Sequence, residues 1–330
     1  MKRRFIFSML LVLSVLLLSS TGYSQKQVSD FGALKIRAVG DNVGLLFLFE
    51  GEGPHVVAFG SETPDITVID PRGPGLGKII DDKVHNAADG PVVTIINTGP
   101  HRAGSNAEFP DVTTIIAHEN TKAAMAKLEA FKGANAKFLP NKTFTDTLSM
   151  TVETVGAGEG TNRIDLHHFG PGHTNGDTVV VFPSLNTVYM SDLFPGRAVP
   201  PIDTANGGSA LKFHDTLSKA IATLRAEYGF LGEDAGLAVA DASKPGLKIV
   251  MPGREPAPPG PYVPMWLFPS VLDEYASFIN ELVIAVKDAF EKGKSVDEAV
   301  DGLTLPDQYK NHDMEHARTF VEAAYSELKR

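Results

Sequence analysis

One histidine in this sequence stands where its side chain could do chemistry. Residues 169–177 read FGPGHTNGD, so three glycines and a proline frame His173 and Thr174. Glycines allow the chain to bend sharply without a side-chain clash, and a strand (163–169, RIDLHHF) leads into the turn. An imidazole held there can face a cleft instead of the core, ready to bind a metal ion or to move a proton. The chain has no cysteine, which excludes disulfides and thiolate ligands. Any metal must be held by histidine and carboxylate side chains. His312 and His316, in HDMEH, lie one turn apart, but the order is not the HExxH signature and reads as a solvated pair. No GxSxG occurs, and Ser191 has no recognisable base beside it, so a serine hydrolase is disfavoured.

The elements that must position His173 alternate strand and helix. Short β-rich runs at 34–39, 43–49, 55–59 and 66–70 are separated by Gly, Asp, Asn and Pro turns. A helix is predicted at 76–88, and 92–96 (VVTII) is a continuous apolar strand of the kind buried on both faces. A second unit follows: a strand at 112–118, then a helix at 121–132 with Asn120 as its cap and Gly133 as its stop. Beyond the glycine turn, Leu217, Ala220, Ile221 and Leu224 recur at helical spacing within 215–228, and 247–251 is a last strand. This succession suits an α+β, four-layer αβ/βα sandwich better than a doubly wound parallel sheet. No glycine-rich phosphate loop opens a helix.

At the N-terminus, Lys2, Arg3 and Arg4 precede an apolar run from Phe5 to Leu18 and then small residues. This reads as a secretory signal peptide over residues 1–24, cleaved before Gln25; a membrane anchor would need about 20 apolar residues. The mature protein is therefore expected to be secreted or periplasmic, with no membrane association after cleavage. The formal net charge of −10, with Lys and Arg scattered, argues against a nucleic-acid partner. A small-molecule substrate or ligand is the partner expected.

The sandwich domain is assigned to residues 25–256. A stiff Pro-rich linker follows at 257–264, and a helical extension at 265–330. Leu272, Tyr275, Ile279, Leu282, Val286 and Phe290 form one apolar face; Ser295 and Glu298 make a capping box; Met314, Ala317, Phe320, Val321, Ala324 and Leu328 line a third helix. The extension reads as a helical appendage packed on the sandwich or on a second copy, which makes it the place for a dimer contact. Tyr262, Trp266 and Phe268 read as core or linker packing.

The FGPGHTNGD turn resembles the GHTxGD-like turn of the metallo-β-lactamase-fold superfamily, in which the histidine is a metal ligand. Residues 186–194 (NTVYMSDLF) are similar to the family strand that ends in the bridging metal aspartate, here Asp192. Two further family motifs are altered. Where the resemblance implies HxHxDH, the chain has NTGPHRAGSN (97–106), about two residues short. Read from the front, Gly99 replaces the first histidine and His101 is the second; read from the back, His101 falls near the deleted Asp-His pair. The family's Pro-Gly-His turn is here MPGRE (251–255), so Arg254 stands in the histidine slot. A guanidinium has no lone pair to give a metal, but it can replace the metal's charge, and an Arg254–Asp192 pair is the expectation.

His173, Asp192 and His101 are what the resemblance leaves as metal ligands, a set that suits at most one zinc ion with an open position for water. Asp70, at the end of ITVID, resembles a family aspartate on the site floor and is expected to hydrogen-bond the loop. His167 and His168 alternate before the turn, so one of them faces the cleft; His168 is counted with the lining residues, although a structural imidazole is the commoner case. Catalytic residues beyond these are not assigned. Two readings of function remain. One is an exported metal-dependent hydrolase of an ester, lactam, lactone or similar bond. The other is a non-catalytic relative, without zinc, that uses the fold as a binding or scaffold module.

Overall fold

The computed structural model describes residues 35–38, 46–50, 55–60, 65–88, 90–154, 160–230, 244–254 and 269–330. The signal segment, the Pro-rich linker, Tyr262, Trp266 and Phe268 lie outside them.

Alternation of side chains builds the layers. In β3 (Val56–Phe59) and β4 (Ile66–Ile69), Val57, Phe59 and Ile69 point one way, and Val56, Ala58, Ile66 and Val68 the other. Both faces are buried, which is why these runs are apolar throughout. Together with β1 (Lys35–Ala38), β2 (Leu46–Glu50), β5 (Val92–Asn97), β6 (Thr114–His118) and β7 (Lys142–Phe144) they form a seven-stranded sheet in sequence order. Its first four strands pair antiparallel, and β4 to β7 run parallel. A second, five-stranded sheet has the order β12 (Ile249–Met251), β11 (Thr187–Tyr189), β10 (Val179–Phe182), β9 (Gly160–His167), β8 (Thr147–Thr154).

Between the sheets, Val57, Phe59, Ile69, Ile96 and Ile116 meet Ile164, Leu166, Val180, Phe182 and Tyr189. On the outer face of the first sheet, Ile80 and Val84 of α1 (Gly77–Ala88) cover Val56, Val68 and Ile95. On the outer face of the second, Val179, Val181 and Val188 pack under α3 (Ala210–Tyr228), α4 (Ser270–Glu291) and α6 (Ala317–Leu328). The result is helix, sheet, sheet, helix: the expected αβ/βα sandwich, with the C-terminal helices present.

Those helices share a continuous core with the second sheet. Phe278 of α4 stacks among Tyr275, Tyr309 and His312. Glu327 of α6 accepts from the backbone of Ala210 at the start of α3 (2.8 Å), where a carboxylate also meets the positive end of the helix dipole. The short helix α5 (Val296–Asp301) carries the expected Ser295–Glu298 capping box.

Three local expectations are corrected. The helix predicted at 121–132 is α2 (Glu119–Met125), capped by His118 rather than Asn120: the His118 ring accepts from the Asn120 backbone N–H. It stops early because Phe131 turns in to pack on Met125 and Ala103, leaving 3₁₀ turns beyond. The helix predicted from 215 starts at Ala210, under a Ser209 cap. His312 is buried against Phe278 (ring centroids 4.3 Å apart) and is not half of a solvated pair, whereas Met314, expected on the apolar line, is exposed.

Candidate functional site

The chain gathers its polar residues at one edge of both sheets. β4 ends before Asp70, β5 ends at Asn97, β9 leads to the His173 turn, and the parallel pair β11–β12 ends in register, Tyr189 beside Met251. The turn carrying Asp192 therefore lies against the turn carrying Gly253. Gly253 N–H donates to the Phe194 carbonyl (2.8 Å), and a side chain at Gly253 would overlap the Ser191 carbonyl, so this approach requires glycine.

The loop after β5 closes as a 3₁₀ turn, Pro100–Arg102, pinned at its base by paired Asn97 and Asn106 amides (2.8 Å). This turn drives Arg102 inward. Its side chain is 1% exposed and forks onto Asp192: Nε donates to Oδ2 (2.9 Å) and Nη2 to Oδ1. Nη1 donates to the Tyr189 hydroxyl and to the Gly253 carbonyl, both at 3.0 Å. Asp70 Oδ2 lies 3.8 Å away. A bidentate pair of this kind is among the strongest side-chain contacts, and here it is removed from water.

Arg102, and not Arg254, is thus the cation on Asp192. Arg254 is exposed, and its charge reaches Asp192 only as a minor contribution. The physical reason is reach: the Pro100–Arg102 turn brings the guanidinium of residue 102 into the centre from one side, while the turn after β12 leaves residue 254 exposed. Asp70 does hydrogen-bond the loop, accepting from Thr98 N–H (2.8 Å) and Thr98 Oγ1 (2.6 Å), and also from Tyr189 (3.0 Å). Asp70 and Ser191 both sit at positive φ, 56° and 51°, a left-handed conformation that is costly for such residues and persists only where surroundings enforce it.

Charges in this centre are pulled in opposite directions. Burial raises the pKa of Asp192, but Arg102, helped by His173, more than offsets it and holds the carboxyl well below its usual range. Burial raises Asp70, against the opposing pull of Arg102 and Thr98. Asp177, whose carboxylate accepts from Thr174 N–H (3.0 Å) in the glycine turn, is pushed up to about 6 by burial, despite His173 and Thr174.

The sign for Asp177 follows from its raised value. A carboxyl with a higher pKa folded than unfolded adds stability below its unfolded value, near 4, and loses that contribution as pH rises through about 6. Asp177→Asn is therefore expected to flatten the stability profile between pH 4 and 6 by on the order of 2 kcal/mol. Urea unfolding at several pH values checks it; an unchanged slope contradicts it.

His173 lies in the glycine turn, with Nδ1 donating to the Pro201 carbonyl (2.8 Å). His101 is half exposed and hydrogen-bonds Asp203 through Nε2 (2.7 Å). The two rings are 5.5 Å apart. His168 is stacked on His118 at 4.0 Å and donates through Nδ1 to the Asp177 carbonyl; burial lowers the pKa of both rings. It supports the turn from behind. His167 bonds Tyr228 (2.7 Å) beneath α3.

Comparison with solved structures decides the architecture. A metallo-β-lactamase from Pontibacter korlensis superposes with a TM-score of 0.52 at 16% identity, over 75% of this chain and 99% of that one. The fold is that of the metallo-β-lactamases. IND-7 metallo-β-lactamase gives 0.51 at 15% identity, over 77% of this chain and 100% of that one. The sec-alkylsulfatase Pisa1 from Pseudomonas sp. gives 0.60 at 11% identity, over 88% of this chain but half of its own. No family model and no curated protein matches the sequence. At such identities the likeness establishes a hydrolase-like metallo-β-lactamase fold.

Zinc, which the resemblance implies, does not fit the donors this chain presents. Both Asp192 oxygens are occupied by a guanidinium that cannot ligate a metal, and the His101 nitrogen nearest a carboxylate is bound to Asp203. Among the described residues, no three His, Asp or Glu side chains converge as a metal cradle.

Arg102 carried no signal as a functional residue, because a loop arginine is ordinarily solvated.

Proposed function

We propose that this is an exported protein that recognises a small molecule beside His101, His173 and Asp203, without a zinc ion on Asp192. The single observation that supports this is the Arg102 fork, which already supplies Asp192 with a positive charge and both of its hydrogen bonds. A fixed cation that gives no ligand position cannot bind and activate a water as a metal does. The hydrolase-like fold then serves as a binding scaffold. Export rests on the N-terminal pattern of basic, apolar and small residues. A contact between copies through the C-terminal helices belongs to the same proposal, and Ile284 is exposed there on α4.

The second reading, a hydrolase with one zinc ion, has one observation in its favour: two imidazole rings whose centroids lie 5.5 Å apart. Metal analysis separates the two. Protein purified in zinc-supplemented buffer and desalted is expected to carry far less than one zinc per chain and to unfold at the same temperature with or without chelator. About one zinc per chain, with stability lost to chelator, supports the hydrolase instead.

A further inference from the structure

Apart from Asp192, whose two oxygens are held by Arg102, the groups around the guanidinium are tied to one another independently of it. Asp70 is fixed by Thr98 N–H, Thr98 Oγ1, Tyr189 Oη and Ser191 Oγ (3.3 Å), and Thr98 and Ser191 bond each other through their hydroxyls. The Gly253 carbonyl is held by the His55 backbone N–H (3.0 Å) as well as by Arg102. The guanidinium thus sits among two carboxylates, a hydroxyl and a carbonyl, acceptors suited to a flat, multiply donating cation.

We propose that this set of acceptors is a cation site which Arg102 fills as a tethered ligand, and that a chain shortened at residue 102 takes up free guanidinium or a small alkylguanidinium in its place. The inference rests on the reading that the centre works without zinc. Recognition follows from geometry: the Asp192 carboxylate accepts two parallel N–H bonds, and Tyr189 and Gly253 accept from a third nitrogen, a pattern that matches a planar fork and not a point charge. None of the groups that touch the guanidinium is an imidazole.

The test is Arg102→Ala, followed by thermal unfolding with millimolar guanidinium chloride against the same concentration of sodium chloride. Guanidinium destabilises ordinary proteins, so a rise in midpoint is diagnostic. A rise of about 3–5 °C is expected in the variant, with none in wild type or in R102A/D192N. No rise, or an equal rise in R102A/D192N, overturns the proposal. Zinc chloride raising the midpoint of Arg102→Ala where guanidinium does not also overturns it, since the site would then be a metal cradle. If Arg102→Ala does not fold alone, recovery of soluble protein on refolding is read instead: a gain with guanidinium over sodium supports the site, and equal recovery overturns it. Zinc content of the wild type tests the metal-free reading separately, so failure of one is distinguishable from failure of the other.

Discussion

Arg102→Ala is expected to lower unfolding free energy by about 3–5 kcal/mol, the cost of leaving a buried carboxylate without its partner. Asp192 would then be a buried carboxylate without its cation, in the repulsive field it shares with Asp70. Much of that cost belongs to the orphaned charge and not to the pair itself. R102A/D192N is therefore expected to be more stable than R102A, with a coupling of about 2 kcal/mol in the double-mutant cycle. Arg254→Ala, at an exposed position, is expected to change stability by less than about 0.5 kcal/mol. Chemical denaturation of wild type, R102A, D192N, R102A/D192N and Arg254→Ala measures all of this. A large loss in Arg254→Ala with none in Arg102→Ala would reverse the assignment of the charge.

Phe278→Ala is expected to cost about 3–5 kcal/mol as well, for a different reason. Phe278 is fully buried where α4 meets Tyr309, His312 and the second sheet, and a cavity there cannot collapse because ring neighbours surround it. The C-terminal helices supply the outer layer of the sandwich, so the loss should appear in a single transition shared by the whole chain. A variant in which the helices melt first, while the sheets hold their midpoint, would mean that they are an appendage.

Much of this architecture was legible from residues alone, and the reason is periodicity. VVTII reads as a strand buried on both faces, and Leu272 to Phe290 as one helical face, because burial on these elements is set by spacing along a single segment. His173 was legible because glycines on both sides of a histidine mark a sharp turn with the ring at its tip. The partner of Asp192 was not. Residue 254 stands where the resemblance implies a histidine, but which of two arginines reaches a carboxylate depends on the path of a loop. That path follows a proline at the start of the Pro100–Arg102 turn and an Asn97–Asn106 clasp joining distant ends. Such contacts leave no period in the sequence. His312 was misplaced for a related reason: its burial depends on Phe278 and Tyr309 from other elements.

Both oxygens of Asp192 are held by the Arg102 guanidinium, which under the proposed function leaves no place there for a metal ion. The most direct measurement is a crystal structure of the wild-type protein grown with zinc present, with diffraction recorded on both sides of the zinc absorption edge. The account predicts continuous density from the Arg102 fork to both Asp192 oxygens and no anomalous peak within ligating distance of that carboxylate. An anomalous peak between Asp192 and His173, with Arg102 swung out of the centre, would contradict it.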